Sequence, residues 1–331
     1  MNKFLVIQTA FIGDAILATA IIEKLHTFYP ECKIDILVRK GNEGLFKMHP
    51  FINKCLIWNK TEVKYKSLFN TLKQIRKNKY THVINLHRFT SSGFLTIFSG
   101  AKEKIGFDKN PLAFLFTVKI KHQIGNGQHE IERNQLLIEH LTDTNAAKPK
   151  LYPSIEEISS IKHLIKEQFI CMAPSSVWFT KQLPKEKWME LIKNIHPNCT
   201  IYLLGAKADK AYCDEIIKES KAKNCINLCG TLNLMQSAAL MQKANMNYVN
   251  DSAPLHLCSA TNAPVTAFFC STVKEFGFFP LSEKSIIVET SEKLNCRPCG
   301  LHGYKSCPEK HFKCGFGITI NSNLIPETCK I

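Results

Sequence analysis

Asp251, Ser252 and His256 form the grouping with the most chemistry in this sequence. They lie in Asn250-Asp251-Ser252-Ala253-Pro254-Leu255-His256, where an apolar run ends and a helical pattern begins. A strand that stops at a helix start offers free backbone N–H groups and the positive end of a dipole, which together seat a phosphate. Ser252 can cap that helix, and Pro254 suits its first turn, where a missing N–H is no loss. His256, one turn in, can add a donor to the same anion. The alternative is an ordinary strand-to-helix turn.

Other groups follow apolar runs in the same way. Asp14 comes after the first run, and a carboxylate there can take a proton from a substrate hydroxyl. Its alternative role is to cap the next helix. His87 and Arg88 follow a later run and can meet an anionic substrate, or stand as exposed loop residues. Ser175, Ser176 and Lys181 sit in a loop over 173–183. Near the end come Cys296, Cys299, Cys307 and Cys314, with His311. These are zinc-ligand types, although the second pair is spaced more widely than in a usual zinc ribbon. The four cysteines are a candidate structural zinc site; reduced thiols are the alternative. Either way the tail reads as a local staple.

Positioning such residues takes a scaffold of alternating elements. Apolar runs at 3–8, 33–38, 54–58, 82–86 and 104–107 read as strands. Gly13 allows a tight turn after the first. Ile16, Leu17, Ala20, Ile21, Leu25 and Phe28 then recur at helical spacing. No GxGxxG is present, so a dinucleotide fingerprint is missing. A basic amphipathic helix is expected between 58 and 82, a loop over 87–93 and a helix over 130–141. The polar stretch 142–153 reads as a linker. The alternation restarts with strands at 169–172, 200–204, 224–228, 246–249 and 264–269, and a helix opening at Pro184 with Trp188, Leu191, Ile192 and Ile195 inward. Strand ends at 173, 205, 251 and 270 then face one side. The expected fold class is α/β: two doubly wound parallel-sheet domains, 1–145 and 155–331, the second carrying the Cys-rich tail 296–314.

Composition narrows the function. The chain has 331 residues, 45% hydrophobic and 21% charged, which suits two globular domains. No window has the roughly 18 uninterrupted apolar residues of a membrane span. The N-terminus imitates a signal peptide, but Gly13 and Asp14 interrupt it, so a cytoplasmic location is expected. Most of the cysteines sit in apolar contexts and read as reduced small hydrophobes. Net charge is +15, and residues 1–150 hold 23 Lys/Arg against 12 Asp/Glu. A basic first half implies an acidic partner: nucleic acid, an anionic membrane face or an anionic glycolipid. Nucleic acid is the weakest of these, since no binding motif accompanies the charge.

Three segments together resemble glycosyltransferase family 9, the lipopolysaccharide heptosyltransferases. Ile7-Gln8-Thr9-Ala10-Phe11-Ile12-Gly13-Asp14 resembles the family's first glycine-aspartate loop. Ala173-Pro174-Ser175-Ser176 through Lys181 and Trp188 looks like its phosphate-contacting segment. Asn250 through His256 is similar to its signature turn. The resemblance implies a GT-B architecture of two facing Rossmann-like domains, the first binding acceptor and the second donor, with the active site between them. It implies inverting transfer of a heptose from a nucleotide-sugar, typically ADP-heptose, needing no metal or other cofactor for catalysis. The acceptor would be an anionic glycolipid of the lipopolysaccharide inner core, at the inner face of the cytoplasmic membrane, with which the protein would associate peripherally. By residue, Asp14 stands for the general base. Thr9, Gly13, Ser175, Lys181, Gly205, Asp251, Ser252, Ala253 and His256 stand for the donor site, and Arg39, His87 and Arg88 for the acceptor site. Two positions depart from the pattern: Ala253 replaces a usual glycine, and Lys207 stands where some members place an acidic residue against the nucleotide. The alternatives are a non-catalytic nucleotide- or glycan-binding relative, or the same transferase using another donor.

Overall fold

The computed structural model describes residues 2–60 and 64–331. The chain divides into two compact units, Met1–Tyr152 and Pro153–Ile331. The first holds strands β1 (Lys3–Gln8), β2 (Lys33–Arg39), β3 (Ile52–Trp58), β4 (His82–Asn85), β5 (Glu103–Phe107) and β6 (Val118–Ile120). They form one sheet in the order β3-β2-β1-β4-β5-β6, every pair parallel. Parallel strands covered on both faces read as unbroken apolar runs. Phe4, Leu5, Val6 and Ile7 of β1 accordingly show no exposed surface.

The second unit repeats the plan. Its strands are β7 (Phe169–Ala173), β8 (Thr200–Leu203), β9 (Cys225–Asn227), β10 (Met246–Asn250), β11 (Val265–Phe269) and β12 (Ser285–Glu289), in the parallel order β12-β11-β10-β7-β8-β9. Each sheet therefore reverses direction beside its first strand, between β1 and β4 and between β7 and β10. Open α/β sheets bind ligands at such switch points, outside the carboxyl ends of their strands. Trp188 packs edge-on against Phe268 in the core of this unit, with ring centroids 5.4 Å apart. It is a packing residue, not a ligand contact.

The α/β expectation holds, with local corrections. Residues expected as a loop at 87–93 run into a helix, Thr90–Ile97, which buries Ser92, Gly93, Leu95 and Thr96. The edge strands β6 and β12 were not expected. Both are only partly buried and so lack the apolar run that marks a central strand. The helix expected over 130–141 is shorter, Glu130–Gln135. The stretch read as a linker is tied down onto the first unit. Lys150 N–H donates to Thr19 Oγ1 at 2.9 Å, and Tyr152 donates to Glu23 at 2.7 Å. Among the described residues no helix is long and apolar enough to cross a membrane.

Candidate active site

In the second unit, β10 delivers Asn250 and Asp251 to the switch point. Asp251 is buried, and its Oδ2 accepts from Lys181 Nζ at 2.7 Å and from Thr272 Oγ1 at 2.6 Å. Lys181 reaches it from the loop after β7, and Thr272 from the end of β11. Three strand ends thus meet at one carboxylate. Asn250 fixes the arrangement from below. Its Nδ2 donates to Pro174 O at 2.8 Å, while its Oδ1 accepts from Leu183 N–H at 2.9 Å. One buried amide therefore holds both ends of the loop that carries Ser175 and Lys181.

The helix after the turn is Ala253–Thr261, with Pro254 in its first turn. Ser252 does not cap it, contrary to expectation. Its backbone is extended, and its hydroxyl leans back toward Asn250 O at 3.5 Å. Among the described residues no side chain caps this helix; Pro254 has no N–H and the Leu255 N–H bonds Ser252 O at 3.0 Å, so the turn offers an anion the Ala253 N–H and the helix dipole. Ala253 is the first helical residue. His256 is buried, and its Nδ1 has no hydrogen-bond partner. Burial pushes its pKa down to about 4, helped by Lys181 and opposed by Asp251. It is a neutral imidazole at pH 7 and can donate without adding charge. The Ser175 hydroxyl is likewise buried without a partner. Gly205 sits at the end of β8, where a Cβ would come within 2.9 Å of Asp209 and of Cys229 Sγ. Lys207 beyond it is exposed.

The tail is more than a distant staple. Cys299 N–H donates to Ser271 O at 2.9 Å, and Tyr304 N–H donates to Thr180 Oγ1 at 2.8 Å. At Gly303, where φ is +75°, a Cβ would lie 2.8 Å from Thr180 Oγ1 and 3.1 Å from Lys181 Cγ. Arg297 donates to Cys270 O and Thr272 O, both at 2.8 Å, and so pins the strand end that supplies Thr272. The cysteines of the candidate zinc site draw together: burial, then the nearby charges of Cys299, Cys307 and Cys296, raise the Cys314 pKa. Cys296 Sγ and His311 Nε2 stand 3.9 Å apart, but among the described residues no three Cys, His, Asp or Glu converge to hold a metal. All fourteen cysteines are free thiols.

In the first unit the predicted residues gather at the carboxyl edge around the β1/β4 switch. Thr9 Oγ1 lies 3.1 Å from His87 Nδ1, and Thr9 O accepts from Lys60 Nζ at 2.8 Å. The Arg39 guanidinium lies over the Phe11 ring at 5.0 Å. Asp14 is the third residue of the short helix Ile12–Leu17, and its Oδ2 accepts from Phe11 N–H at 3.1 Å. Gly13 is the second residue of that helix and is not in the left-handed region, so it does not make the turn that was expected of it. His87 is held down to about 3 by burial and by the charges of Lys60 and Arg88. It is therefore a neutral ring at pH 7. The cations of this edge are Arg39, Lys60 and Arg88, with Arg88 half-buried.

Sequence reading missed Asn250, Thr272, Arg297 and Lys60 as parts of these sites. Thr272 and Arg297 lie 21 and 46 positions from Asp251 and carry no local signal. Asn250 had one, a polar residue at the end of a buried strand, which is costly unless it is bonded.

Two doubly wound parallel-sheet units define an α/β fold of GT-B type. The chain matches glycosyltransferase family 9 (heptosyltransferase) over residues 68–310 and belongs to that family; it is a glycosyltransferase. It is 27% identical over 284 residues to lipopolysaccharide heptosyltransferase 3 of Escherichia coli K12, covering 78% of this chain and 80% of that one. It is 24% identical over 318 residues to lipooligosaccharide heptosyltransferase 2 of Campylobacter jejuni, covering 95% and 93%. Its fold is similar to the solved structure of E. coli ADP-heptose lps heptosyltransferase II, with a TM-score of 0.75 at 20% identity over 94% of this chain and 96% of that one.

Proposed function

We propose that this protein is an inverting, metal-independent heptosyltransferase that moves a heptose from ADP-heptose to an anionic inner-core glycolipid. The observation that carries the reading is the cluster of Lys181, Asp251 and Thr272 beside an uncapped helix start and an unpartnered His256. That cluster has the chemistry of a diphosphate site. Similar proteins bind such ligands: one solved relative is E. coli heptosyltransferase WaaC with ADP, at a TM-score of 0.68 and 15% identity over 86% of this chain and 92% of that one.

In this reading the acceptor oxygen attacks the anomeric carbon while the bond from that carbon to the phosphate oxygen breaks. The bonding pair leaves on the nucleotide diphosphate. Asp14 takes the acceptor's proton, its carboxylate oriented by the Phe11 N–H. Lys181, the His256 N–H, the Ala253 N–H and the helix dipole stabilise the charge that develops on the leaving phosphate. Asp251 positions Lys181 between turnovers. Arg39, Lys60 and Arg88 attract the anionic acceptor to the first unit, while Thr9, His87 and the Thr9 carbonyl order that edge. The glycolipid places the work at the inner face of the cytoplasmic membrane.

A thermal-shift series with ADP, GDP, UDP, CMP and ADP-heptose, each with and without EDTA, tests the donor. A ligand that binds only the folded state raises the melting point. ADP and ADP-heptose are expected to raise it equally with EDTA present. A shift only with another nucleotide would move the donor, with exposed Lys207 the first residue to examine. No shift with any would overturn the transferase reading of this site.

A further inference from the structure

An aromatic and cationic face in the first unit lies outside the sites above. The helix Lys64–Asn78 buries Leu72 and Ile75 against the sheet together with Tyr80. Its other face exposes Lys66, Phe69, Lys73, Arg76 and Lys77. Phe69 is 58% exposed, an unusual setting for a large ring on a packed helix. Lys66, Lys73 and Arg76 stand three, four and seven positions from it, so all flank it on one helical stripe. Phe69 does not stand alone. Its ring meets Phe94 edge-on with centroids 5.7 Å apart, and Phe94 meets Phe98 at 4.7 Å. Phe98, just past the helix Thr90–Ile97, is 47% exposed. Three rings therefore run across two helices, and both end rings face water. Between Glu62 and Glu103 the sequence has eight Lys/Arg and no acidic residue.

We propose that this face docks the protein on an anionic bilayer. Phe69 and Phe98 enter the boundary between headgroups and acyl chains, and Lys66, Lys73, Arg76 and Lys77 lie over lipid phosphates. Rings backed by cations, in a stretch with no acidic residue between Glu62 and Glu103, match that boundary in both polarity and charge. A polyanion such as nucleic acid would satisfy the cations but leave the apolar ends of the ladder without a role. A second copy of the chain would have to bring four further cations to the same face. The inference deepens the proposed function, since it rests on an acceptor carried in a membrane.

The test is co-sedimentation of the full chain with phosphatidylcholine vesicles, with and without a quarter of phosphatidylglycerol. The proteins are wild type, Phe69→Ser/Phe98→Ser and Lys73→Glu/Arg76→Glu. Both substituted pairs are exposed, and unchanged melting points would show that the variants fold. Wild type is expected to bind only the anionic vesicles and to release as salt rises. Each double variant is expected to lose at least about tenfold in binding, while its ADP-induced thermal shift stays unchanged. Equal binding to neutral and anionic vesicles, or variants that bind like wild type, would overturn the docking face. So would a dimer that the Phe69→Ser/Phe98→Ser variant dissociates, or tight binding to single-stranded DNA without vesicle binding. Heptose transfer without vesicle binding would remove this face and leave the proposed function standing. Vesicle binding without any nucleotide shift would do the reverse.

Discussion

Lys181 Nζ and Asp251 Oδ2 lie 2.7 Å apart, with Thr272 donating to the same oxygen. The lysine is thus held by a buried carboxylate before any phosphate arrives. Positioned cations of this kind act where charge develops and need no reorganisation during the reaction. Lys181→Met is expected to lower kcat about 100- to 1000-fold, as loss of one oxyanion-stabilising group does. Thr272→Val should have a smaller effect in the same direction. ADP release measured with saturating ADP-heptose checks both. A Lys181→Met enzyme with wild-type kcat would show that the pair is structural only.

Asn250 joins strand β10 to both ends of the lysine loop. Asn250→Leu leaves a buried N–H and buried carbonyls unpaired. We expect a loss of about 1–3 kcal/mol, read as a fall of several degrees in Tm by calorimetry. An unchanged Tm would mean that the loop is held by other contacts.

Gly303 packs over Lys181 at a φ of +75°. Alanine there meets both strain and a 2.8 Å approach to Thr180 Oγ1. Gly303→Ala should cost about 1–3 kcal/mol and raise the KM for donor, since the displaced atoms belong to the lysine loop. Wild-type KM with lowered Tm would confine the tail to a stabilising role.

Several histidines make stability depend on pH. Burial holds His49, His122 and His256 down to about 4 from an ordinary value of 6.5. In that window the unfolded chain binds more protons than the folded one, so stability rises with pH. The protein should keep its full histidine contribution above about 6.5 and lose it progressively as pH falls toward 4. Urea midpoints at pH 7, 6, 5 and 4 would show this as a steady decline. A flat profile would contradict the burial of these rings. The triple substitution to Gln is expected to flatten the decline.

Much of this was legible in the sequence where one strand or one helix carried the signal. The central strands β1 and β7 are nearly continuous apolar runs and β10 is a buried strand broken only by Asn247, and Asp251, Lys181 and Asp14 stood beyond their ends. What was not legible depended on distant partners. Ser252 has the residue type of a cap, but its extended backbone turns the hydroxyl away from the helix. His87 and His256 read as groups able to meet an anion, and only the fold shows that burial leaves both neutral. The tail read as a separate staple, and only the fold lays Gly303 on Lys181 and Arg297 on the Thr272 strand end. The zinc pattern brings Cys296, Cys299, Cys307 and Cys314 near one another, but among the described residues no three such ligands meet at one point. Edge strands β6 and β12 lack the buried alternation that a sequence pattern can register.

The most direct test of the account compares Asp14→Ala with wild type in two assays on the same preparations. One measures heptose transfer from ADP-heptose to an inner-core glycolipid acceptor in the presence of EDTA. The other measures the thermal shift with ADP-heptose. The account predicts that wild type transfers and inverts the anomeric centre, and that Asp14→Ala loses transfer but keeps its donor shift. Transfer by Asp14→Ala at the wild-type rate would contradict it. So would a wild type that binds ADP-heptose but transfers only when a divalent metal is restored.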